Sequence, residues 1–469
     1  MLSQGRDRHE HANYTQYAGG GVITGSSTAE HLILVTHSLL NSSFKRYTKQ
    51  IESRSRSMGA EAEMKNPTGS GAMRREVYES VAMELYNHVK NRTTDSMAEV
   101  KAVPVADYRE HARWEAERQK IFKEAPVLAG LSCELKNESD YKALDIVGIP
   151  VLLTRGRDGV ARAFLNVCRH RGAHIAEPGC GNRSRFVCPY HSWTYDKKGS
   201  LVGILDEAKF GHVDASRRQL VELYTREVAG LIFVCLTPGR RFDIKAFLGE
   251  MLDELASYRL ETWTLLGQNV IEGPNWKVAM DGYIEFYHIA SLHSDTLAAM
   301  VTNNVMACET FGPYPFGPHQ RIAAPSNDIA QRLNKPVTEW VTGEAMLDVK
   351  LVFPNNSFAI TSGNALSPAG GMVSQVFPGP SPEKSITIQN HIYKQEPKQG
   401  AEREALAEAI ERFKYVVEEE DYKGGRQIQL GMNTDANATF IFGKNEVGPQ
   451  NFHTALDHFL GEEDEDRLF

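Results

Sequence analysis

The sequence predicts an α+β protein in which a small all-β domain precedes a larger domain, whose antiparallel sheet grips a long C-terminal helix. Between residues 125 and 238, short strand-like runs alternate with Gly, Asp and Asn, which is typical of a small β-structure. Further strand-like runs, at 350–353, 358–361, 372–377 and 385–393, precede an amphipathic helical pattern at 401–421. Together with a length of 469 residues, these observations indicate at least two folded domains.

The chain divides into four segments by changes of composition and pattern. Residues 1–72 contain a glycine triplet and an Arg/Ser run, and they are expected to form a disordered or weakly docked extension. Residues 73–124 are expected to form helices that pack on the larger domain. The small β domain occupies residues 125–238, and the larger domain occupies residues 239–469.

Individual elements follow from the spacing of apolar residues. Apolar residues that recur every three or four positions predict helices at 73–91, 107–123, 243–258, from about 279 onward, and at 401–421. Short β-branched and apolar runs predict strands of the small domain at 149–153, 163–167, 185–188 and 231–235.

Bulk properties exclude several classes of protein. A net charge of −8 and a pI near 6.1 provide no basic surface for nucleic acid. No apolar run reaches the roughly 18 residues that a membrane span requires, and the first ten residues are too polar for a signal peptide. Six cysteines without a disulfide pattern suit a reducing compartment, so a cytoplasmic location is expected.

Four residues form the most informative motif of the chain. Cys168 and His170 read as C-x-H, and after seventeen further residues Cys188 and His191 read as C-x-x-H. A Rieske [2Fe–2S] cluster uses this set, since two thiolates hold one iron and two imidazoles hold the other. The motif therefore predicts a protein that transfers electrons.

Two other metal proteins use similar residues. A Cys2His2 zinc site has the same residue types, but its usual spacing places both cysteines before both histidines. The Rieske proteins of respiratory complexes carry an additional cysteine pair in the two cluster loops and a membrane anchor. Here the corresponding loop positions are Gly172 and Pro189-Tyr190, which disfavours that class.

The surrounding residues, NVCRHRG at 166–172 and CPYHSWTY at 188–195, resemble the N-terminal half of ring-hydroxylating oxygenase alpha subunits, the Rieske non-haem iron oxygenases. Ser192 departs from the pattern, because the family more often has Gly there. The resemblance implies that residues 125–238 are a Rieske domain. It also implies that residues 239–469 are a catalytic domain with a mononuclear iron and a START/Bet v1-like fold.

A second motif, NWKVAMDGYIEFYH at 275–288 followed by His293, resembles the mononuclear iron motif of the same family. In that motif an acidic residue precedes H-x4-H by three positions, so the resemblance assigns His288 and His293 as iron ligands. On a straight helix, residues five positions apart point about 140° away from each other. Both histidines reach one metal only if the helix bends, bulges or ends between them, a distortion often found at functional sites.

A facial 2-His-1-carboxylate site needs a carboxylate from elsewhere in the chain and leaves positions open on Fe(II). The family takes it from the C-terminal helix, where four consecutive acidic residues occur: Glu418, Glu419, Glu420 and Asp421. The apolar stripe of this helix places Glu420 and Asp421 beside its buried face. The family spacing to a Gln eight positions later, Gln429 here, favours Asp421, and Glu420 stays open as the alternative.

Glu285 and Asp281 are expected to support the iron site. Glu285 lies one helical turn before His288 and can hold its ring by a hydrogen bond. In the family this position is usually Asp, and it bridges the iron-bound histidine to a cluster histidine of the neighbouring subunit. Asp281 lies four residues earlier on the same helix face and could belong to the same network.

The resemblance implies a terminal oxygenase. Electrons from NAD(P)H pass through a separate reductase, with or without a ferredoxin, to the cluster and then to the iron of an adjacent subunit, where O2 is activated. This route implies a homotrimer, alone or with beta subunits. The sequence has no Gly-rich dinucleotide motif after a strand, so the reductase is expected to be another protein.

Three functions remain open at this stage. Hydroxylation of an aromatic small molecule, as in aromatic hydrocarbon catabolism, is the favoured outcome. Oxidative N- or O-demethylation is the second, and an electron carrier without catalytic iron is the third. The substrate pocket is expected to draw on residues after His293 and on the strands at 350–377. Arg321 could meet a substrate carboxylate, although a surface arginine is the simpler reading.

Overall fold

A computed structural model describes residues 73–314, 316–361, 370–398 and 400–461 of the chain. The extension expected at residues 1–72 lies outside the described residues. Elements are numbered in chain order.

The N-terminal helices differ in continuity from those that the sequence predicts. Helix α1 spans Arg75–Asn91, close to the predicted range, and ends at Arg92 in a left-handed conformation. The single helix predicted at 107–123 is broken, because the backbone of Glu110 is extended (φ −71°, ψ 126°). The observed elements of this segment are β1 (Lys101–Pro104), α2 (Ala106–Arg109), α3 (His111–Ala116) and a π-helical turn (Glu117–Lys123).

The small domain consists of short antiparallel strands, as the sequence predicts. They form a five-stranded sheet in the order β10-β5-β4-β3-β6 and two three-stranded sheets, β11-β12-β2 and β7-β8-β9. The strands are β2 (Val127–Leu131), β3 (Asp140–Ile146), β4 (Ile149–Arg155), β5 (Ala161–Leu165), β6 (Gly179–Asn182), β7 (Arg185–Val187), β8 (Thr194–Asp196), β9 (Leu201–Gly203), β10 (Glu222–Leu223), β11 (Thr225–Val228) and β12 (Leu231–Val234), with one helical turn, α4 (Glu207–Phe210).

The larger domain is built on a seven-stranded antiparallel sheet in the order β13-β19-β18-β17-β16-β15-β14. Every strand predicted between residues 350 and 393 is present. The strands are β13 (Thr264–Gly273), β14 (Ala307–Phe311), β15 (His319–Pro325), β16 (Met346–Val352), β17 (Asn356–Thr361), β18 (Gly370–Pro378) and β19 (Ser385–Tyr393), and β20 (Thr439–Phe442) pairs with β1.

The larger domain also contains helices and helical turns. They are α5 (Ile244–Leu248), α6 (Met251–Tyr258), α7 (Trp276–Tyr283), α8 (Ile289–Leu292), α9 (Ile329–Arg332), α10 (Ala401–Tyr415), a π-helical turn (Val416–Asp421), α11 (Tyr422–Met432) and α12 (Val447–Leu460). No helix among the described residues combines the length and the apolar character needed to cross a bilayer.

Three helix predictions for this domain are wrong in their bounds. The helix predicted at 243–258 is divided at Gly249, which has φ +52°. The helix predicted from about 279 begins at Trp276, because the Asn275 side chain accepts the Lys277 N–H as an N-cap. The helix predicted to end at 421 continues to Met432. A Cβ at Gly425 would lie 2.7 Å from Pro274, so glycine permits close packing there.

A buried ion pair joins the N-terminal segment to the helix that leads into the second motif. Lys277 of α7 donates to Glu117 of the first π-helical turn at 2.5 Å, and the indole N–H of Trp276 donates to the same carboxylate at 2.8 Å. All three side chains are fully buried. Removing one partner would leave a buried charge unpaired, so this contact holds α7 against the N-terminal segment.

The buried histidine His319 is expected to make the stability of the fold depend on pH. Its Nδ1 accepts the Phe353 N–H at 3.1 Å, so the proton resides on Nε2, which donates to the Phe247 carbonyl at 2.8 Å. Burial lowers the pKa of His319 to about 4. An unfolded histidine takes up a proton near pH 6.5, so the unfolded state binds more protons between these values. Folding stability is therefore lost as the pH falls from about 6.5 to 4, by up to about 3 kcal/mol from this group.

The substitution His319→Gln tests this expectation, because an amide keeps one donor and one acceptor but does not titrate. Thermal melts between pH 7 and 4.5 should show a smaller fall in Tm for the variant than for the wild type. His458→Gln, at an exposed histidine, serves as the control. Equal pH slopes for the wild type and His319→Gln would contradict the assignment.

Candidate active site

Two loops of the small domain bring Cys168, His170, Cys188 and His191 together. The first loop follows β5 and the second connects β7 to β8. Both cysteines are buried and their thiols are neighbours, while the two imidazole rings lie 4.7 Å apart at their centroids and are partly exposed. The sulfur side of the set therefore faces the core, and the imidazole side faces the surface.

The two loops have the same backbone geometry. The N–H of Gly172 donates to the Cys168 carbonyl, and the N–H of Ser192 donates to the Cys188 carbonyl, each at 2.9 Å. Both residues have positive φ, +85° for Gly172 and +57° for Ser192. Ser192 thus occupies a left-handed position that glycine adopts at lower cost, and the loop closes in the same way.

The environment of the four side chains fits a Rieske cluster. The Tyr195 hydroxyl forms a hydrogen bond with the Cys168 sulfur at 3.5 Å and accepts the Arg169 N–H at 2.9 Å. The Trp193 ring stacks on His170, with the ring centroids 5.0 Å apart. Burial raises the pKa of the Cys168 thiol. The Nδ1 of His170 is buried and has no hydrogen-bond partner among the described residues, which leaves this nitrogen available to a metal. Sequence reasoning assigned no role to Tyr195 or Trp193, although both lie in the quoted motif.

The backbone around His288 and His293 is not one continuous helix. Helix α7 ends at Tyr283, and Ile284 leaves the helical region (φ −120°, ψ 19°). His288 then directly precedes the one-turn helix α8, and His293 directly follows it. The preceding helix therefore ends before His288 rather than between the two histidines, which flank a single helical turn.

The two imidazoles converge with one carboxylate. The Nε2 atoms of His288 and His293 lie 3.1 Å apart, and Asp421 Oδ1 lies 3.6 Å from the first and 3.0 Å from the second. These atoms are within 4.8 Å of one another, a spacing that can hold a metal ion. Two ligands at right angles and about 2.1 Å from a metal lie about 3.0 Å apart, so the set fits one ion.

Each imidazole is held at its other nitrogen by a second carboxylate. Glu285 contacts the Nδ1 of His288 and also accepts the backbone N–H of His288 at 3.1 Å. Glu420 contacts the Nδ1 of His293 at 2.7 Å and accepts the Thr296 hydroxyl at 2.7 Å. Burial lowers the pKa of His293, but the hydrogen bonds to Asp421 and Glu420 outweigh it and raise the pKa to about 9. The two carboxylates therefore stabilise positive charge on the His293 ring.

The geometry separates the two acidic candidates of the C-terminal helix. Asp421 faces the inner nitrogens of both histidines, whereas Glu420 faces the outer nitrogen of His293. Both residues reach the same histidine because they lie in the π-helical turn Val416–Asp421, where the wider helix changes the direction of consecutive side chains. Nothing in the sequence indicates that turn. The assignment of Asp421 rather than Glu420 as the ligand stays a prediction, which this geometry favours.

Asp281 lies elsewhere than expected. Its carboxylate accepts the Tyr108 hydroxyl at 2.7 Å and contacts the Nε2 of His453 at 3.0 Å. It thus joins α7 to α2 and α12, and no contact with His288 is recorded among the described residues. Its expected membership of the Glu285 network has no support in this geometry.

Arg321 is not a surface arginine. It is 3% exposed on β15 and pairs with Glu254 at 2.7 Å and with Glu309. Its guanidinium is therefore engaged in the structure, and a role in binding a substrate carboxylate is not supported.

Two protein-family models match successive segments of the chain. Residues 125–215 match the Rieske [2Fe-2S] domain, and residues 260–462 match the ring hydroxylating alpha subunit catalytic domain. The two matched segments contain the seven candidate ligands described above.

Curated relatives match over part of their length. The carnitine monooxygenase oxygenase subunit of Escherichia coli (strain K12) is 31% identical over 198 residues, 42% of this chain and 53% of that protein. The glycine betaine monooxygenase oxygenase subunit of Chromohalobacter salexigens is 28% identical over 201 residues, 43% and 45% respectively. The N,N-dimethyl phenylurea N-demethylase subunit alpha of Sphingobium sp. (strain YBL2) is 30% identical over 201 residues, 41% and 43%. The chain thus spans about half the length of the curated relatives it matches.

Solved structures share the fold. A quaternary ammonium Rieske monooxygenase in complex with L-carnitine superposes with a TM-score of 0.65 at 22% identity, covering 77% of this chain and 96% of that one. Naphthalene 1,2-dioxygenase from Rhodococcus sp. superposes with a TM-score of 0.60 at 19% identity, covering 82% and 98%. The predicted architecture of a small β domain and a larger α+β domain is confirmed.

Substitutions in the C-terminal helix distinguish a ligand from a positioning residue. Asp421→Ala is expected to remove the mononuclear iron, whereas Glu420→Ala is expected to weaken its binding about 10- to 100-fold, as loss of a ligand's hydrogen-bond partner does. Glu420→Gln should recover most of that loss, because its amide oxygen still accepts from His293. Iron content and Fe(II) affinity, measured by chelator competition, check these outcomes.

Glu419→Ala is the matched control, since Glu419 lies on the same turn and is exposed. Cluster absorbance should stay unchanged in all four variants. Retention of iron by Asp421→Ala together with its loss from Glu420→Ala would reverse the two roles.

Proposed function

Since the chain belongs to the Rieske non-haem iron oxygenase alpha subunits, we propose that it is a terminal oxygenase that oxidises a carbon bonded to nitrogen in a small N-methylated substrate. The observation that carries the oxygenase assignment is the convergence of His288, His293 and Asp421. The curated relatives favour C–N chemistry, because they are named for carnitine, glycine betaine and a dimethyl phenylurea.

The two sites of this chain have different roles in the proposed reaction. When bound, a cluster at the Cys168/His170/Cys188/His191 site supplies single electrons, and an iron at the His288/His293/Asp421 site supplies O2 activation. The partly exposed imidazoles of His170 and His191 place the edge of the cluster site where another protein or subunit can approach. Glu285 and Glu420 keep the inner nitrogens of His288 and His293 directed at one point.

The proposed reaction balances as a monooxygenation. One oxygen atom of O2 enters a C–H bond beside nitrogen, and the other leaves as water with two electrons and two protons. The hydroxylated carbon then releases the amine, and an aldehyde forms. The electrons come from NAD(P)H through a separate reductase, with or without a ferredoxin, so the chain needs protein partners.

Oligomerisation is part of the same proposal. No hydrogen bond, ion pair or ring contact between the four cluster residues and the three iron residues is recorded in the part of the chain that the structure describes. A homotrimer that places the cluster of one subunit beside the iron of the next, alone or with beta subunits, would supply that proximity. The cytoplasmic location expected from the cysteine content remains a prediction.

Hydroxylation of an aromatic ring is the second candidate. It is favoured by the match to the ring hydroxylating catalytic domain and by the shared fold with naphthalene 1,2-dioxygenase. The curated relatives named above give no support to aromatic hydrocarbon catabolism. An electron carrier without catalytic iron is disfavoured by the converging His288, His293 and Asp421.

Product analysis tests the proposed function. Protein reconstituted with NADH and a surrogate reductase is offered carnitine, glycine betaine, a dimethyl phenylurea and naphthalene under labelled O2. The expected products are a lower-mass amine and an equimolar aldehyde from one of the N-methylated compounds. A ring product that carries two labelled oxygens would instead establish a ring dioxygenase.

His288→Ala separates oxygenase from electron carrier. It should abolish turnover and leave cluster absorbance and reduction intact, because His288 belongs only to the second site. His458→Ala, at an exposed histidine, should retain both. Turnover that survives His288→Ala would show that this histidine is not an iron ligand.

A further inference from the structure

A surface segment of the small domain reaches back to the cluster site. Residues 205–219, which connect β9 to β10, include no buried residue, and Phe210 at the end of α4 is 47% exposed. Single apolar residues are common at protein surfaces, so exposure alone gives Phe210 no role. Its contacts, however, are with residues of the cluster site.

The Phe210 ring packs against one of the four candidate cluster ligands. It meets the His170 imidazole nearly at right angles, with the ring centroids 5.5 Å apart and the planes at 81°. It also meets the Trp193 indole, with the centroids 5.7 Å apart and the planes at 71°. Because Trp193 itself stacks on His170, the three rings contact one another and enclose the imidazole from two directions.

The backbone on either side of α4 directs Phe210 to this place. Asp206, which precedes α4, has φ +51°, and Gly211, which follows it, has φ +97°. Both values lie in the left-handed region, which glycine adopts freely and aspartate tolerates better than most residues. Between these two residues, the N–H of Phe210 donates to the Asp206 carbonyl at 3.0 Å. A defined turn therefore holds the ring over His170.

The two candidate cluster histidines differ in what covers them. His191 contacts Tyr190 of its own loop, with the centroids 3.9 Å apart, and Tyr190 is 60% exposed. His170 contacts Trp193, which is 3% exposed, and in addition Phe210 from a segment outside both cluster loops. Phe210 thus adds apolar cover to the His170 side of the site.

Apolar cover at a metal-binding imidazole affects the metal group that the site holds. It limits the approach of water and lowers the local dielectric constant, and both influence the reduction potential. A [2Fe–2S] group with two thiolates and two neutral imidazoles is uncharged when oxidised and carries one negative charge when reduced. Water stabilises the charged form, so apolar cover disfavours reduction.

We propose that Phe210 is a positioning residue of the cluster site. It holds the His170 imidazole against Trp193 and keeps water away from that ring, and it thereby lowers the reduction potential of the bound cluster. The contacts of Phe210 with both rings carry this inference. It goes beyond the proposed function, because it concerns the electron-transfer site and holds whichever substrate the iron site oxidises.

Phe210→Ala in the cluster-loaded, full-length protein tests this inference by two measurements that do not depend on turnover. In a dye-mediated redox titration at constant pH, the variant should favour the reduced form about 3- to 10-fold more than the wild type, which raises the one-electron potential by about 30 to 60 mV. The electron paramagnetic resonance signal of the reduced cluster should also relax faster than in the wild type when nickel–EDTA is added, because this soluble paramagnet can approach the uncovered imidazole more closely.

Two further variants serve as controls. Phe210→Tyr keeps the ring and should retain the wild-type potential and the wild-type response to nickel–EDTA. Leu205→Ala is the matched control, since Leu205 is an apolar residue of the same segment and is 61% exposed. A potential and a relaxer response that Phe210→Ala leaves unchanged would overturn the inference, as would an equal shift in Leu205→Ala.

Cluster absorbance, measured before each titration, separates this role from a purely structural one. If Phe210→Ala does not retain the cluster, Phe210→Val takes its place, because valine is apolar but too short to contact both rings. A raised potential in Phe210→Val would support the inference, and wild-type values would overturn it. Failure of the inference in a protein that holds its cluster leaves the oxygenase proposal untouched, because product analysis under labelled O2 tests that proposal separately.

Discussion

The structure depends on how two imidazoles five residues apart are made to face one point. Carboxylates hold their outer nitrogens, Glu285 at His288 and Glu420 at His293, so that both inner nitrogens turn toward Asp421. An imidazole bonded at one nitrogen has a fixed tautomer and ring orientation, and its other nitrogen is a better ligand. The end of α7, the one-turn helix α8 and the π-helical turn before α11 all serve this requirement.

The carboxylate charges around the two imidazoles favour a cation at this site. Three carboxylates, those of Glu285, Glu420 and Asp421, surround two imidazoles in a partly buried space. Like charges this close repel unless a cation lies between them. A divalent ion at the inner nitrogens would relieve that repulsion, and the buried Lys277–Glu117 pair keeps the supporting helix in place.

What the sequence could predict depended on distance along the chain. The cluster residues lie in two short loops, and spacing alone identifies Cys168, His170, Cys188 and His191. His288, His293 and Glu285 lie within nine residues, so their proximity was also predictable. Contacts between segments that lie far apart in the sequence could not be predicted. Asp281 meets Tyr108 and His453, which lie 173 and 172 positions away, and nothing in the sequence marks those partners.

Iron-edge anomalous diffraction from crystals of the iron-loaded protein tests the central claim most directly. The account predicts an isolated iron bonded to the Nε2 atoms of His288 and His293 and to Asp421, with Glu285 and Glu420 outside the coordination sphere. It also predicts a separate iron pair at the Cys168/His170/Cys188/His191 site. An iron bound by Glu420 in place of Asp421, or no iron between the two histidines of an active protein, would contradict it.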